Sequence, residues 1–175
     1  EHTTVNFDPD ATVAAMFPGA ENFADGDGNN WSSYSGTVAP AEGYLVSPQS
    51  SITDGNTTYN LIYSQGTLNN GDITFPVVFN TTKNDSPNIL ANPYASSISA
   101  NDFISLNTMV DEVYFWEHLT AQSASLPGYN SMNFSMEDIS MYNLMGGVAA
   151  ASDISGVLTV PDGFISQGQG FGIKA

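Results

Sequence analysis

The sequence has no cysteine. Disulfide staples, thiolate nucleophiles and cysteine-ligated zinc or iron are therefore out. Arginine is also absent, and Lys83 and Lys174 are the only lysines. Phosphate backbones are gripped by clustered cationic side chains that release counterions, so nucleic acid is excluded as a partner, and anionic membrane surfaces with it. No run approaches the roughly 18 apolar residues of a membrane span, so direct membrane insertion is not expected. Histidine is scarce as well, with only His2 and His118. There is no G-x-S-x-G or H-E-x-x-H pattern, so a serine triad would have to be built on His118 beside Glu117. The chain is not expected to be an enzyme. It opens at Glu1 without a basic segment followed by an apolar one, which reads as a chain from which any signal peptide has been removed.

What is present is acidic and polar. Eighteen Asp and Glu against two lysines give a net charge of -16, although only 11% of residues are charged, against roughly 25% in an average soluble domain. Ser, Thr, Asn and Gly together supply 67 of the 175 residues. This neutral polar composition is that of secreted all-β modules, and an extracellular location is expected. Apolar residues, at 41%, are enough to build a core.

The length suits a single domain, residues 1–175. Short β-rich runs separated by Gly, Asn, Asp and Pro point to an all-β fold, a β-sandwich or jelly roll with one or two short helices. Strands are expected over residues 43–47, 58–64, 72–79, 111–116, 156–160 and 170–174. In the third of these, Ile73, Phe75, Val77 and Phe79 alternate, and Pro76 marks an edge or a bulge. Asn69-Asn70-Gly71-Asp72 reads as the hairpin turn before it. Ser99 three residues before Asp102, and Ser135 three before Asp138, predict two short helices. Residues 1–42 form an edge segment with a loose acidic loop, and residues 43–175 form the core.

In that loop Asp25, Asp27 and Asn29 place oxygen ligands at alternate positions, a spacing that can wrap Ca²⁺. Asn30 stands where an EF-hand has its glycine, and Gly36 where it has its bidentate glutamate. A calcium loop and an Asx-rich surface turn both remain open; Asp8, Asp10 and Glu21 lie near enough in sequence to join a cage. Trp31, Tyr34, Trp116 and Tyr129 can offer flat faces to sugar rings, and Trp31, flanked by Asn and Ser, is with Tyr34 the candidate carbohydrate-binding surface. Trp116 lies in Val113-Tyr114-Phe115-Trp116, apolar on both faces, and is expected in the core. Paired carboxylates for glycoside cleavage can be drawn from Asp111, Glu112, Glu117, Glu137 and Asp138, but with 18 acids in the chain solvated strand ends and helix starts explain them better. Methionines 132, 136, 141 and 145 are expected to fill core around the second helix.

Five phrases in order carry a resemblance. They are Gly66-Thr67-Leu68-Asn69-Asn70-Gly71-Asp72-Ile73; Asn88 to Ile98, containing Asn92-Pro93-Tyr94, with Asp102-Phe103; Val113-Tyr114-Phe115-Trp116-Glu117-His118; Tyr142-Asn143-Leu144-Met145-Gly146-Gly147; and Pro161 to Phe171, ending Gly168-Gln169-Gly170-Phe171. Residues 43–175 thereby resemble a module of large secreted Bacteroidetes surface proteins, which lies shortly before a type IX secretion sorting signal. Ala91 and Ala95 stand where that pattern has Gly and Pro. The resemblance implies a β-rich module at the bacterial cell surface, in proteins linked to adhesion or polysaccharide use, and brings no catalytic or ligand residues. Related chains continue past the last phrase, so an open sheet edge completed by a partner strand is expected. The expected function is that of a noncatalytic adhesive or structural module whose partners are other surface chains, domains or glycans. Carbohydrate binding is the alternative, with a polysaccharide-active enzyme third.

Overall fold

The computed structural model describes residues 2–3, 32–33, 35–45, 66–77, 87–126 and 133–174. The fold is all-β, with antiparallel sheets and one short α-helix among the described residues. In chain order the strands are β1 (His2–Thr3), β2 (Ser32–Ser33), β3 (Tyr44–Leu45), β4 (Pro87–Ala91) and β5 (Ile98–Ser99). Helix α1 (Ala100–Leu106) follows, then β6 (Glu112–Trp116), β7 (Ile139–Asn143), β8 (Gly146–Val148), β9 (Phe164–Ile165) and β10 (Gly170–Lys174).

A five-stranded sheet in the order β4-β10-β6-β7-β8 is the centre of the fold. Side chains alternate across it with the period of two that a pleated strand imposes. Leu90, Phe171, Ile173, Val113, Phe115 and Tyr142 are buried on one face, where Ala100 and Ile104 of α1 and Ile165 of β9 join them in one core. Ile165 pairs with Ile98 in the two-stranded β5-β9 ribbon. A third sheet, β2-β1-β3, has β1 at its centre. The last described strand, β10, is internal, paired with β4 along its length and with β6 at Gly172.

Several local signals act as read. Ser99 is the N-cap of α1, its Oγ accepting from the Asp102 N–H at 3.2 Å, and Asn107 closes the other end by donating to the Phe103 carbonyl. Strands form where 43–47, 111–116 and 170–174 predicted them. The Ser135 cap is real but starts only a single 3-10 turn, Met136–Asp138, and Ile139 and Tyr142 belong to β7. Two of the glycines that close approach requires lie where the loop 161–163 meets the sheet. A Cβ on Gly163 would lie 2.7 Å from the Tyr142 hydroxyl, and one on Gly147 would lie 2.3 Å from the Pro161 carbonyl oxygen. The loop 161–163 can therefore sit directly on the sheet.

Other expectations are corrected. Residues 72–77 join no sheet, and 156–160 form turns in which Val157, Leu158 and Val160 are exposed. Asp153 organises that loop instead, accepting from the N–H and hydroxyl of both Ser155 and Thr159. Trp116 is 40% exposed rather than core, because in β6 the inward positions are Val113 and Phe115. Met136 and Met145 are exposed too, since one ends up in the 3-10 turn and the other at the tip of the β7-β8 hairpin. The strand expected over 58–64, residues 78–79 and Met132 lie outside the described residues.

Candidate functional site

The first candidate site is an apolar groove beside α1. Its outer wall is the segment 72–77, where Ile73, Phe75 and Val77 are half-buried while Asp72, Thr74 and Pro76 are exposed. The alternation read from the sequence is present, but the ladder is missing. No backbone N–H or C=O of residues 72–77 hydrogen-bonds to another described residue. Strand-like chain of this kind normally has its backbone groups paired.

The segment is held at its start. Asn69 Nδ2 donates to the Pro93 carbonyl at 2.7 Å, and the Tyr94 hydroxyl donates to the Gly71 carbonyl at 2.7 Å. Gly71 has φ +78°, so the bend expected there exists, but it leads into the groove wall instead of a paired strand. Pro93 and Tyr94 are in turn fixed by Asn92, which is 3% exposed. Its amide donates to the carbonyls of Ser96, Ile165 and Ser166, and its Oδ1 accepts from the Tyr94 N–H. Asn92-Pro93-Tyr94 is therefore a structural hinge point that joins β4, the ribbon and the groove wall.

The groove encloses about 640 Å³, within the range of ligand sites. Phe103 and Phe171, packed edge to face at 5.2 Å, form part of its floor. Leu106 and Met109, 82% and 61% exposed, line its lip. Asp72 and Asp102, both exposed, are the charged groups lining it among the described residues.

The second candidate lies at the end of β6. Trp116 packs edge to face on Phe134, with ring centroids 4.7 Å apart, and lies at 34° to His118 at 5.3 Å. His118 has φ +47°, a left-handed conformation that is costly for a residue with a side chain. Asp138, fully buried, holds this corner. Its Oδ2 accepts from the Thr120 N–H at 2.8 Å, its Oδ1 accepts from the hydroxyls of Thr120 at 2.7 Å and Ser152 at 2.6 Å, and its carbonyl accepts from the Glu117 N–H. Burial pushes its carboxyl up, but the hydrogen bonds from Ser152 and Thr120 and the charge of His118 outweigh this and hold it below the ordinary carboxylate value. Asp153 is held down to about 2, chiefly by the Ser155 hydroxyl, with the bonds from Thr159 and the Ser155 N–H overcoming burial.

Of the five carboxylates considered for glycoside chemistry, Asp138 is bonded as above, Glu117 accepts from the Ser140 hydroxyl and Glu112 from the Tyr114 hydroxyl, while Asp111 and Glu137 are exposed. Among the described residues no group of three or more His, Asp or Glu is placed to hold a metal ion. The predicted site residues Asp25, Asp27, Asn29, Trp31 and Tyr34 lie outside the described residues or have undescribed side chains. The groove was not identified from the sequence, and Trp116 was considered as a sugar-stacking face but assigned to the core. The groove left a signal, the 73-75-77 alternation, whereas Trp116 was masked by the apolar run around it.

Fold and sites together define a small all-β module with an open apolar groove and an aromatic corner. The chain belongs to a family described only as a domain of unknown function, DUF8693, whose model matches residues 2–175. The match runs through the first 42 residues as well as the core. No curated protein and no solved structure matches the chain. No helix among the described residues is long and apolar enough to cross a membrane.

Proposed function

We propose that the chain is a noncatalytic extracellular module of a bacterial cell-surface protein or assembly, serving adhesion or architecture by holding an extended strand of another chain in the groove beside α1. The segment 72–77 carries this reading. It presents a period-two apolar face together with a row of backbone groups that no described residue satisfies, which is the surface that strand addition uses. Charge decides the chemistry of the occupant. Asp72 and Asp102 line the groove and the chain carries -16 overall, so the fitting partner is an extended segment with alternating apolar side chains and basic residues on its other face. The composition, rich in neutral polar residues and poor in charge, supports the extracellular setting.

The test uses a synthetic peptide of alternating Val and Lys, followed by fluorescence anisotropy against the full chain. Binding should be lost when alternate peptide amides are N-methylated, when Lys is replaced by Glu, and in the Phe75→Asp variant. Equal binding of the N-methylated peptide, or no binding by the basic one, overturns the strand reading. Calcium at Asp25, Asp27 and Asn29 belongs to the same proposal: a rise in melting temperature with Ca²⁺ but not Mg²⁺, abolished by Asp25→Ala with Asp27→Ala, supports it, and no difference between the ions removes it.

A further inference from the structure

We infer that the aromatic corner at the end of β6 is a carbohydrate-binding platform, with Trp116 as the surface on which a neutral pyranose ring stacks. This site is separate from the groove and does not depend on it. Trp116 is 40% exposed, yet its ring is fixed, packed edge to face on Phe134 at 4.7 Å and backed by His118 at 5.3 Å. Large aromatic area held rigid at the surface suits binding, because little side-chain freedom is left to lose.

The indole N–H of Trp116 and both ring nitrogens of His118 make no hydrogen bond to another described residue, so polar ring atoms border the aromatic surface. Such a mixture matches a sugar, whose ring offers a C–H face and a rim of hydroxyls. His118 keeps its left-handed backbone because its neighbours are pinned. The Glu117 N–H donates to the Asp138 carbonyl, and Thr120 gives two hydrogen bonds to the Asp138 carboxylate. A strained, over-determined residue beside an exposed aromatic is the pattern by which binding surfaces are built.

Charge and spacing narrow the class. With -16 on the chain, nucleobases attached to phosphate are repelled, and uronate or sulfated glycans are disfavoured for the same reason. The ring centroids lie 4.7 to 5.8 Å apart, in mutual contact, so no cage is left between them to enclose a cation. A neutral hexose or pentose polymer remains.

The experiment is a tryptophan-emission titration of the Trp31→Phe chain, in which Trp116 alone reports, with cellohexaose, xylohexaose, mannohexaose and, as the anionic control, a hexagalacturonate. At least one neutral glycan should shift the emission, and the galacturonate should bind more weakly. Isothermal titration of the otherwise native chain should then show affinity falling about tenfold or more in Trp116→Ala, partly retained in Trp116→Phe, and reduced in His118→Gly, a change that the positive φ tolerates. Melting temperatures show which variants remain folded, and Trp116→Phe keeps the test decisive if the alanine variant does not. Failure of every neutral glycan to bind, binding unchanged in Trp116→Ala, or a preference for the galacturonate overturns the inference.

Discussion

Removing the Asp138 carboxylate should cost this fold more than removing any exposed acid. Asp138→Ala deletes the acceptor for three donors, the Thr120 N–H, the Thr120 hydroxyl and the Ser152 hydroxyl, at 2.6 to 2.8 Å. The site is fully buried, so water does not readily replace the lost partner. A buried donor left unsatisfied costs about 1–3 kcal/mol. The two hydroxyls can rotate towards other acceptors, and Ser152 already has the Glu137 carbonyl at 3.1 Å, while the Thr120 N–H cannot rotate. A total of about 3–4 kcal/mol follows, a large part of the roughly 5–15 kcal/mol that holds a domain together. At about 2–4 °C per kcal/mol for a chain of this size, the melting temperature should fall by roughly 10 °C. Asp138→Asn retains one acceptor oxygen and should lose about half as much. Urea unfolding followed by circular dichroism gives the comparison, with a lower midpoint at constant slope as the signature. A loss below about 1 kcal/mol for Asp138→Ala would refute the claim that this carboxylate ties together the turns at 117–120, 136–138 and 150–153.

Stability should fall on acidification in a defined window. Asp153, held at about 2, and Asp138, also lowered, are each below the ordinary 3.8, so as pH drops the unfolded chain takes up protons first. Their contribution is complete above the ordinary carboxylate range and is lost on acidification, that of Asp153 as pH falls through about 2; urea midpoints between pH 5 and pH 2 should decline, and less steeply in Asp153→Asn. Gly163→Ala should destabilise by about 2–3 kcal/mol, combining a φ of +89° with a Cβ placed 2.7 Å from the Tyr142 hydroxyl. Gly156→Ala, at φ +66° in open space, should cost only about 1 kcal/mol, and thermal melts of the pair separate backbone strain from crowding.

Three of the phrases that carried the resemblance contribute turn and packing chemistry. Asn92 joins three segments through its amide, and Asn143 Oδ1 accepts from the Met145 N–H to shape the β7-β8 turn. Gly168, at φ +67°, and Gln169, whose side chain accepts from the Ser166 N–H, shape the approach to β10.

The sequence by itself determined what depends on neighbours a few residues away. The Ser99 cap, the alternation of Val113 with Phe115 and of Phe171 with Ile173, and the positive-φ glycines of the turns each follow from interactions within a short stretch. Only the tertiary structure decided which alternating runs find a ladder. Residues 72–77 and 170–174 are patterned alike, yet one pairs with no described strand and the other is an internal strand of a sheet. It also decided that Trp116 would face outward while Phe115 faced the core, because strand pairing chooses which of two apolar faces is covered. Both candidate sites arise from that choice. A pleated strand states its period locally, but its partner and its covered face are set by residues distant in the chain.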